Sequence, residues 1–213
     1  MECKCGESDI RELRRKIKPY LSEKRYAHTL AVERCAARLG EIYLPGKIMK
    51  LRASALLHDI TKRLDLEKQL QYCERFDIII STFDMMSPKT FHARTAAALI
   101  PEDFPDFADP EIISGVRWHT TGHCGMTVFE AIVYLADYIE ETRTFPDCVE
   151  LRRYFYGGLS AGDDPMTLLF RTMVRSFDMT VKCLIKDGGA IDLDTVGARN
   201  YYLRLTACEA CGE

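Results

Sequence analysis

Apolar residues recur at spacings of three and four along most of this chain, and strict alternation is nearly absent. The pattern therefore predicts a succession of helices. The spacing predicts helices over residues 9–20 and 22–43. In the second, His28, Val32, Cys35 and Leu39 fall at i, i+4, i+7 and i+11 and share one face. Pro45-Gly46 breaks the pattern, and a third helix is expected over 47–62, with Ile48, Leu51, Ala55 and His58 on one face. A shorter helix is expected over 65–76. Asp77-Ile78-Ile79-Ile80 is read as an apolar connector rather than a strand. Pro88 opens a segment, 89–100, that carries His92, and Pro101 and Pro105 mark a loop. Pro110 sits in the first turn of a helix running to His119, followed by a turn at Thr120-Thr121-Gly122. Thr127 and Glu130 form a capping box ahead of an apolar helix that encloses Asp137. Asp164-Pro165 starts a long helix that ends near Gly188-Gly189, and a last helix follows Asp194-Thr195. The expected fold class is all-α.

Composition narrows the setting. A chain of 213 residues builds one good core and is short for two domains. No apolar run approaches the roughly 18 residues of a membrane span, so no membrane partner is expected. The N-terminal Met-Glu-Cys-Lys-Cys lacks the apolar segment of a secretory signal. Nine cysteines are an odd number, which favours reduced thiols and a cytoplasmic location over a disulfide framework. Cys3-x-Cys5 and Cys208-x-x-Cys211 are read as reduced tails rather than a four-thiolate zinc site. The net charge of -3 speaks against a nucleic-acid partner, while a small anionic substrate needs only a local gathering of positive charge.

One ordered series carries the chemistry: His28, His58-Asp59, His92, His119 and Asp137. The chain has five histidines, and four of them belong to it. Imidazoles and carboxylates that face a core are costly unless partnered, and a metal ion would satisfy them together. Asp137, inside an apolar helix, suits either a salt bridge to a core cation or metal ligation; the neighbouring His58-Asp59 pair favours the metal. Adjacent helical residues point about 100° apart, so His58 and Asp59 meet one ion only near a helix end or in a pocket between them. A nitrogen and oxygen ligand set without thiolate suits iron, manganese, cobalt or zinc. Water on such an ion becomes a usable nucleophile near neutral pH. Arg25 and Lys62 lie at helical spacing from His28 and His58 and are expected phosphate contacts. The other basic residues between 11 and 24 are read mostly as a solvated face. Thr120, Thr121 and Gly122 offer hydroxyl and backbone donors to a phosphate.

The order His…His-Asp…Asp resembles the HD-domain superfamily of metal-dependent phosphohydrolases. Arg25-Tyr26-Ala27-His28-Thr29-Leu30, Ala55-Leu56-Leu57-His58-Asp59-Ile60-Thr61-Lys62 and His119-Thr120-Thr121-Gly122 narrow the likeness to one branch. So do Tyr134-Leu135-Ala136-Asp137-Tyr138-Ile139-Glu140 and Thr195-Val196-Gly197-Ala198-Arg199-Asn200. Together the blocks are similar to the symmetrical bis(5′-nucleosyl)-tetraphosphatases of the YqeK-like type over roughly residues 20–205.

The resemblance implies a helical HD-domain bundle over 20–205, an N-terminal extension with a basic helix over 1–19, and a cysteine-bearing tail over 206–213. It implies an iron-type centre, with cobalt, manganese or zinc as relatives, that cleaves diadenosine tetraphosphate into two ADP. By motif, His28, His58, Asp59 and Asp137 match the metal ligands. His92 and His119 match positions that hold either substrate phosphates or a second metal. Asp59, Lys62, His92 and His119 are the implied catalytic group, with His92 or His119 as proton donor to the leaving ADP. Arg25, Lys62, His92, His119, Thr120, Thr121, Gly122, Tyr134 and Arg143 are the implied substrate contacts. A homodimer fits the same implication. The chain departs from the pattern at His123-Cys124, where a basic residue and a proline are expected, and after Glu140, where Glu141-Thr142-Arg143 replace an expected proline. The alternatives are another HD phosphohydrolase, acting on nucleoside triphosphates or cyclic dinucleotides, and a nucleotide-sensing module without catalysis.

Overall fold

A computed structural model of the chain describes residues 5–211, the side chains of 208–211 excepted. Ten α-helices account for it, and no strand occurs among the described residues. They are α1 (Glu7–Ile17), α2 (Glu23–Tyr43), α3 (Ile48–Leu57), α4 (Leu66–Arg75) and α5 (Phe91–Asp103). Then come α6 (Pro110–Trp118), α7 (Val128–Ile139), α8 (Pro146–Ala161), α9 (Pro165–Lys186) and α10 (Leu193–Cys211). Side-chain caps set several starts. Ser22 Oγ accepts from the Arg25 amide, Asp65 from Lys68 and Asp164 from Thr167. The Thr127–Glu130 capping box closes in both directions.

Two apolar clusters divide the interior. One joins α2, α3 and α7 to α8, α9 and α10, through residues such as Val32, Leu39, Ile132, Leu151, Leu169 and Phe177. The other joins α1, α3, α5 and α6, through Ile10, Leu13, Leu56, Leu99 and Val116. Helix α3 belongs to both: Leu51 and Ala55 face the first cluster, and Ala53, Leu56 and Leu57 the second. The helix set apart before residue 20 by sequence thus buries Ile10, Leu13 and Ile17 in the shared interior.

Three differences from the sequence reading bear on the fold. The helix expected over 47–62 ends at Leu57, and residues 58–64 form successive tight turns, closed by Lys62 N to Asp59 O at 2.9 Å and Leu64 N to Thr61 O at 3.1 Å. Pro101 does not open a loop but lies inside α5, whose last turn closes by Phe104 N to Ile100 O at 2.9 Å. The fixed φ of proline is helical, so it removes one bond there without breaking the end. Helix α8 has no counterpart in the expected elements. Its start lacks a side-chain cap and Gly157-Gly158 weaken its end, yet Cys148, Leu151 and Phe155 form a buried stripe at spacings of three and four. The Cys3-x-Cys5 and Cys208-x-x-Cys211 reading rests partly on side chains outside the described residues. Cys35, Cys73, Cys124, Cys148 and Cys183 are free thiols. No described helix is long and apolar enough to cross a membrane.

Candidate metal centre

His58 caps the end of α3, His119 the end of α6, and Asp137 lies in the last turn of α7. Three helix C-termini therefore meet at one place. Each carries partial negative charge, which favours a bound cation. His28 arrives from the second turn of α2 and His92 from the first turn of α5. The tight turns after Leu57 let His58 and Asp59 reach a common point despite being neighbours. Asp59, His58, His92 and His119 are all buried.

The histidine rings share one device. His58 Nδ1 lies 2.7 Å from Ala55 O, His92 Nδ1 2.8 Å from Lys89 O, and His119 Nδ1 2.6 Å from Val116 O, each three residues back. His28 Nδ1 lies 3.0 Å from Glu140 Oε1. A ring nitrogen against an oxygen acceptor carries the hydrogen, so in a neutral ring Nε2 presents its lone pair to the centre.

Asp59 bridges two halves of the cluster. Its Oδ2 lies 3.2 Å from His58 Nε2 and 2.9 Å from Arg25 Nη1, while its Oδ1 lies 3.3 Å from His92 Nε2 and 3.8 Å from His119 Nε2. Asp137 Oδ1 lies 3.0 Å from His28 Nε2 and 3.8 Å from His58 Nε2. Two triads have ligand atoms within 4.8 Å of one another: His28, His58 and Asp137, and His58, Asp59 and His119.

These residues fit a transition metal. His28 Nε2 and His58 Nε2 are buried without a well-formed hydrogen bond, although carboxylate oxygens stand close by. Lone pairs and carboxylates gathered in this way call for a cation between them. A proton can take that place at His28: burial opposes the charge, but Asp137 and Glu140 outweigh it and push the imidazole up to about 9. Metal binding there displaces a proton.

Charges around the centre are strongly perturbed. Burial alone would raise both carboxyls, but His58, His92 and Lys62 hold Asp59 well below the usual carboxylate range. Arg143 and His28 do the same for Asp137. Burial, with Lys62 beside it, holds His92 far below its ordinary value, and burial with His58 takes His119 down to about 4. Burial thus disfavours the charged form of both rings. His92 Nε2 and His119 Nε2 face each other at 3.0 Å, and Lys62 Nζ and Thr120 Oγ1 approach them at 3.1 and 3.0 Å. The proton-donor role expected of His92 or His119 requires a charged ring, which burial opposes at both positions.

Other expected site residues divide. Arg25, Lys62 and Thr120 reach the cluster. Arg143 reaches it through Asp137, donating to Oδ1 at 2.5 Å and to the backbone oxygen at 2.6 Å. Thr121, Gly122 and Tyr134 are placed elsewhere. The Thr121 hydroxyl donates to Gly122 O, and the Gly122 amide is spent on Trp118 O. Gly122 has φ 63°, and a Cβ there would come 2.8 Å from Phe177 and 2.9 Å from the Met126 sulfur, so this glycine serves packing. Tyr134 is a core residue, its ring centroid 4.8 Å from that of Phe177. His123, outside the cluster, packs at a tilt against Trp118 and approaches Glu130 at 3.3 Å.

Sequence reasoning missed Glu140 as a working part. It is fully buried, receives the Thr142 amide at 2.5 Å, and faces His28 across 112 positions of sequence. The available signal was its i+3 spacing from Asp137, which puts both carboxylates on one side of the chain at the helix end.

An all-helical bundle with a buried histidine–carboxylate centre at the meeting of its helix ends defines a protein able to hold a metal ion. The HD domain family model matches residues 25–142, and the chain belongs to that family. A bis(5′-nucleosyl)-tetraphosphatase, symmetrical, from Staphylococcus aureus is 31% identical over 196 residues, covering 91% of this chain and 94% of its own. The protein of the same name from Bacillus subtilis is 30% identical over 187 residues, covering 88% and 94%. A crystal structure of a predicted HD superfamily hydrolase involved in NAD metabolism from Clostridium acetobutylicum aligns with a TM-score of 0.80 at 31% identity, covering 91% of this chain and 96% of that one.

Proposed function

We propose that this HD hydrolase cleaves diadenosine tetraphosphate and related dinucleoside tetraphosphates symmetrically, giving two nucleoside diphosphates, at an iron-type centre held by His28, His58, Asp59 and Asp137. The observation that carries the reading is Asp59, whose two oxygens face different histidine groups at the buried centre. The names of the relatives support the substrate. A transition metal in this ligand set supplies Lewis acidity and an acidified water.

The chain's own residues do the rest. Water oxygen bonds to one of the two central phosphorus atoms, the bond from that phosphorus to the oxygen it shares with the other central phosphorus breaks, one nucleoside diphosphate leaves with that oxygen and its electron pair, and the water's protons pass to solvent. A terminal phosphate has a second pKa of about 6, so the leaving diphosphate needs no proton donor at neutral pH. Its growing charge needs neutralising instead. Lys62, Arg25 and Thr120 stand where they can do this, and His92 and His119 hold their lone pairs beside Asp59 for a cation or a donor on the substrate. Arg143 keeps Asp137 ionised and aimed.

Product analysis tests the proposal. With iron, cobalt or manganese and diadenosine tetraphosphate, ADP is expected as the sole nucleotide product, and chelation is expected to stop its formation. ATP with AMP would refute symmetrical cleavage; nucleotide binding without turnover under every metal would leave a sensor in its place.

Glu140 supplies a separate prediction. Its carboxylate fixes the His28 ring, and loss of such a partner typically weakens metal binding about 10–100-fold. Glu140→Gln keeps an acceptor without the charge and is expected to fall in that range in a chelator-competition titration. Unchanged affinity would remove Glu140 from the scheme.

A further inference from the structure

A groove of about 560 Å³ opens on the side of α2 turned away from the metal centre. Its lining carries the guanidiniums of Arg14, Arg34, Arg38 and Arg52, the carboxylates of Glu33 and Glu141, and Ala37. At about 100° per residue, Ala37 stands opposite His28 around the helix. The groove therefore shares no residue with the clusters able to hold a metal.

The two carboxylates differ in how firmly they are held. Glu33 is buried and takes both Arg14 and Arg52, and Glu7 meets Arg52 from outside the lining, so this part is a fixed floor. Glu141 is exposed at the rim. It receives Arg34 Nε and Nη2 at 3.0 and 2.7 Å and Arg38 Nη2 at 2.6 Å, and both arginines are exposed as well. Exposed pairs of this kind shift an equilibrium by at most about fivefold. Glu141 therefore occupies the arginines without committing them, and an anion of higher charge can take its place. Among the described residues these bonds leave Nη1 of Arg14, Arg34 and Arg38, and Nε of Arg38, as further donors.

The lining also says which anion fits. Guanidiniums outnumber carboxylates in it by four to two. Planar N–H forks match phosphate oxygens in pairs. Ala37 is the sole apolar side chain of the lining, so neither a base nor an acyl chain finds a wall to pack on. The volume lies within the ~300–1,000 Å³ usual for small-molecule sites. Donors on both α1 and α2 ask for a ligand with charge along its length.

We propose that this groove binds a short linear polyphosphate through Arg14, Arg34 and Arg38, and that Glu141 is the internal carboxylate which the ligand displaces. The site is separate from the metal centre, and the proposal does not depend on the substrate assigned to that centre.

Isothermal titration calorimetry of tripolyphosphate into the full chain, without added metal for the anion to chelate, tests it. Saturable one-to-one binding is expected; an affinity weaker than about 1 mM would overturn the site. The double variant Arg34→Gln/Arg38→Gln is expected to weaken binding at least about tenfold, since it removes charge-assisted hydrogen bonds. Glu141→Gln is expected to act in the opposite direction and tighten binding about two- to fivefold, because the competing ion pair is lost. Unchanged or weaker binding in Glu141→Gln would overturn the displacement. Arg153→Gln/Arg171→Gln removes the same charge from exposed positions on α8 and α9 outside the lining, and is expected to change affinity less than about twofold at physiological salt. Equal weakening by both double variants would reduce the groove to general charge attraction. Binding that survives Arg34→Gln/Arg38→Gln but disappears in Lys62→Gln would place the anion at the metal centre and refute the proposal. ATP separates the free anion from a nucleotide as the source of the phosphates. It is expected to bind no tighter than tripolyphosphate; ATP binding more than about tenfold tighter would show that a nucleoside is recognised and overturn the assignment.

Discussion

Replacing Asp59 with alanine is expected to reduce turnover by about 10³-fold or more while leaving the helical fold in place. Three facts make this the largest functional effect. Asp59 belongs to one of the two groups able to hold a metal, it faces all four clustered histidines within 4.0 Å, and it is the contact of Arg25. Its removal takes away a proposed ligand and the negative charge that offsets Lys62 and Arg25 at once, so both metal affinity and phosphate alignment are expected to suffer. The fold should persist because Asp59 lies in the turns after α3 and the apolar clusters do not depend on it. Metal content by atomic absorption, circular dichroism and product formation would be read together. A metal-replete variant retaining more than a tenth of normal activity would sink the mechanism.

Glu33→Ala is expected to produce the largest loss of stability, about 3–5 kcal/mol, the usual cost of breaking a buried ion pair from one side. That corresponds to a fall in Tm of roughly 10 °C for a chain of this size. Glu33 is only 1% exposed on α2. It takes Arg14 Nε and Nη2 from α1 at 2.7 and 2.8 Å, and Arg52 Nε from α3 at 2.8 Å. One carboxylate thus joins three helices, and its loss leaves the guanidinium of Arg52, which is 11% exposed, with Glu7 alone against its charge among the described ion pairs. Arg14→Ala should cost much less, because the carboxylate keeps Arg52 and Arg14 is 36% exposed and already partly solvated. Thermal denaturation of the two variants checks the order; equal losses would show that the network is not centred on Glu33.

That network also marks a limit of sequence reasoning. Arg14 reads as one of several basic residues on a solvated face, and Glu33 as an acidic residue on a long helix. Nothing local shows that they are 2.7 Å apart. Conversely, the buried stripe Val32, Cys35 and Leu39 was legible because helical spacing alone decides it.

The candidate site divides along the same line. Order and residue type along the chain determined that the fold is helical, that it belongs with HD hydrolases, and that His28, His58, Asp59, His92, His119 and Asp137 form the polar set facing inward. Side-chain periodicity and rare residue types are local properties, and they survive in one dimension. Only the tertiary structure decided that Glu140 orients His28, that helix carbonyls hold the other three rings, and that Thr120 faces the centre while Thr121, Gly122 and Tyr134 pack elsewhere. Those outcomes depend on where α3 stops and on which helix ends converge. Both are set by packing between residues far apart in the chain, where hydrogen-bond geometry over a few ångströms chooses among roles that sequence leaves equal.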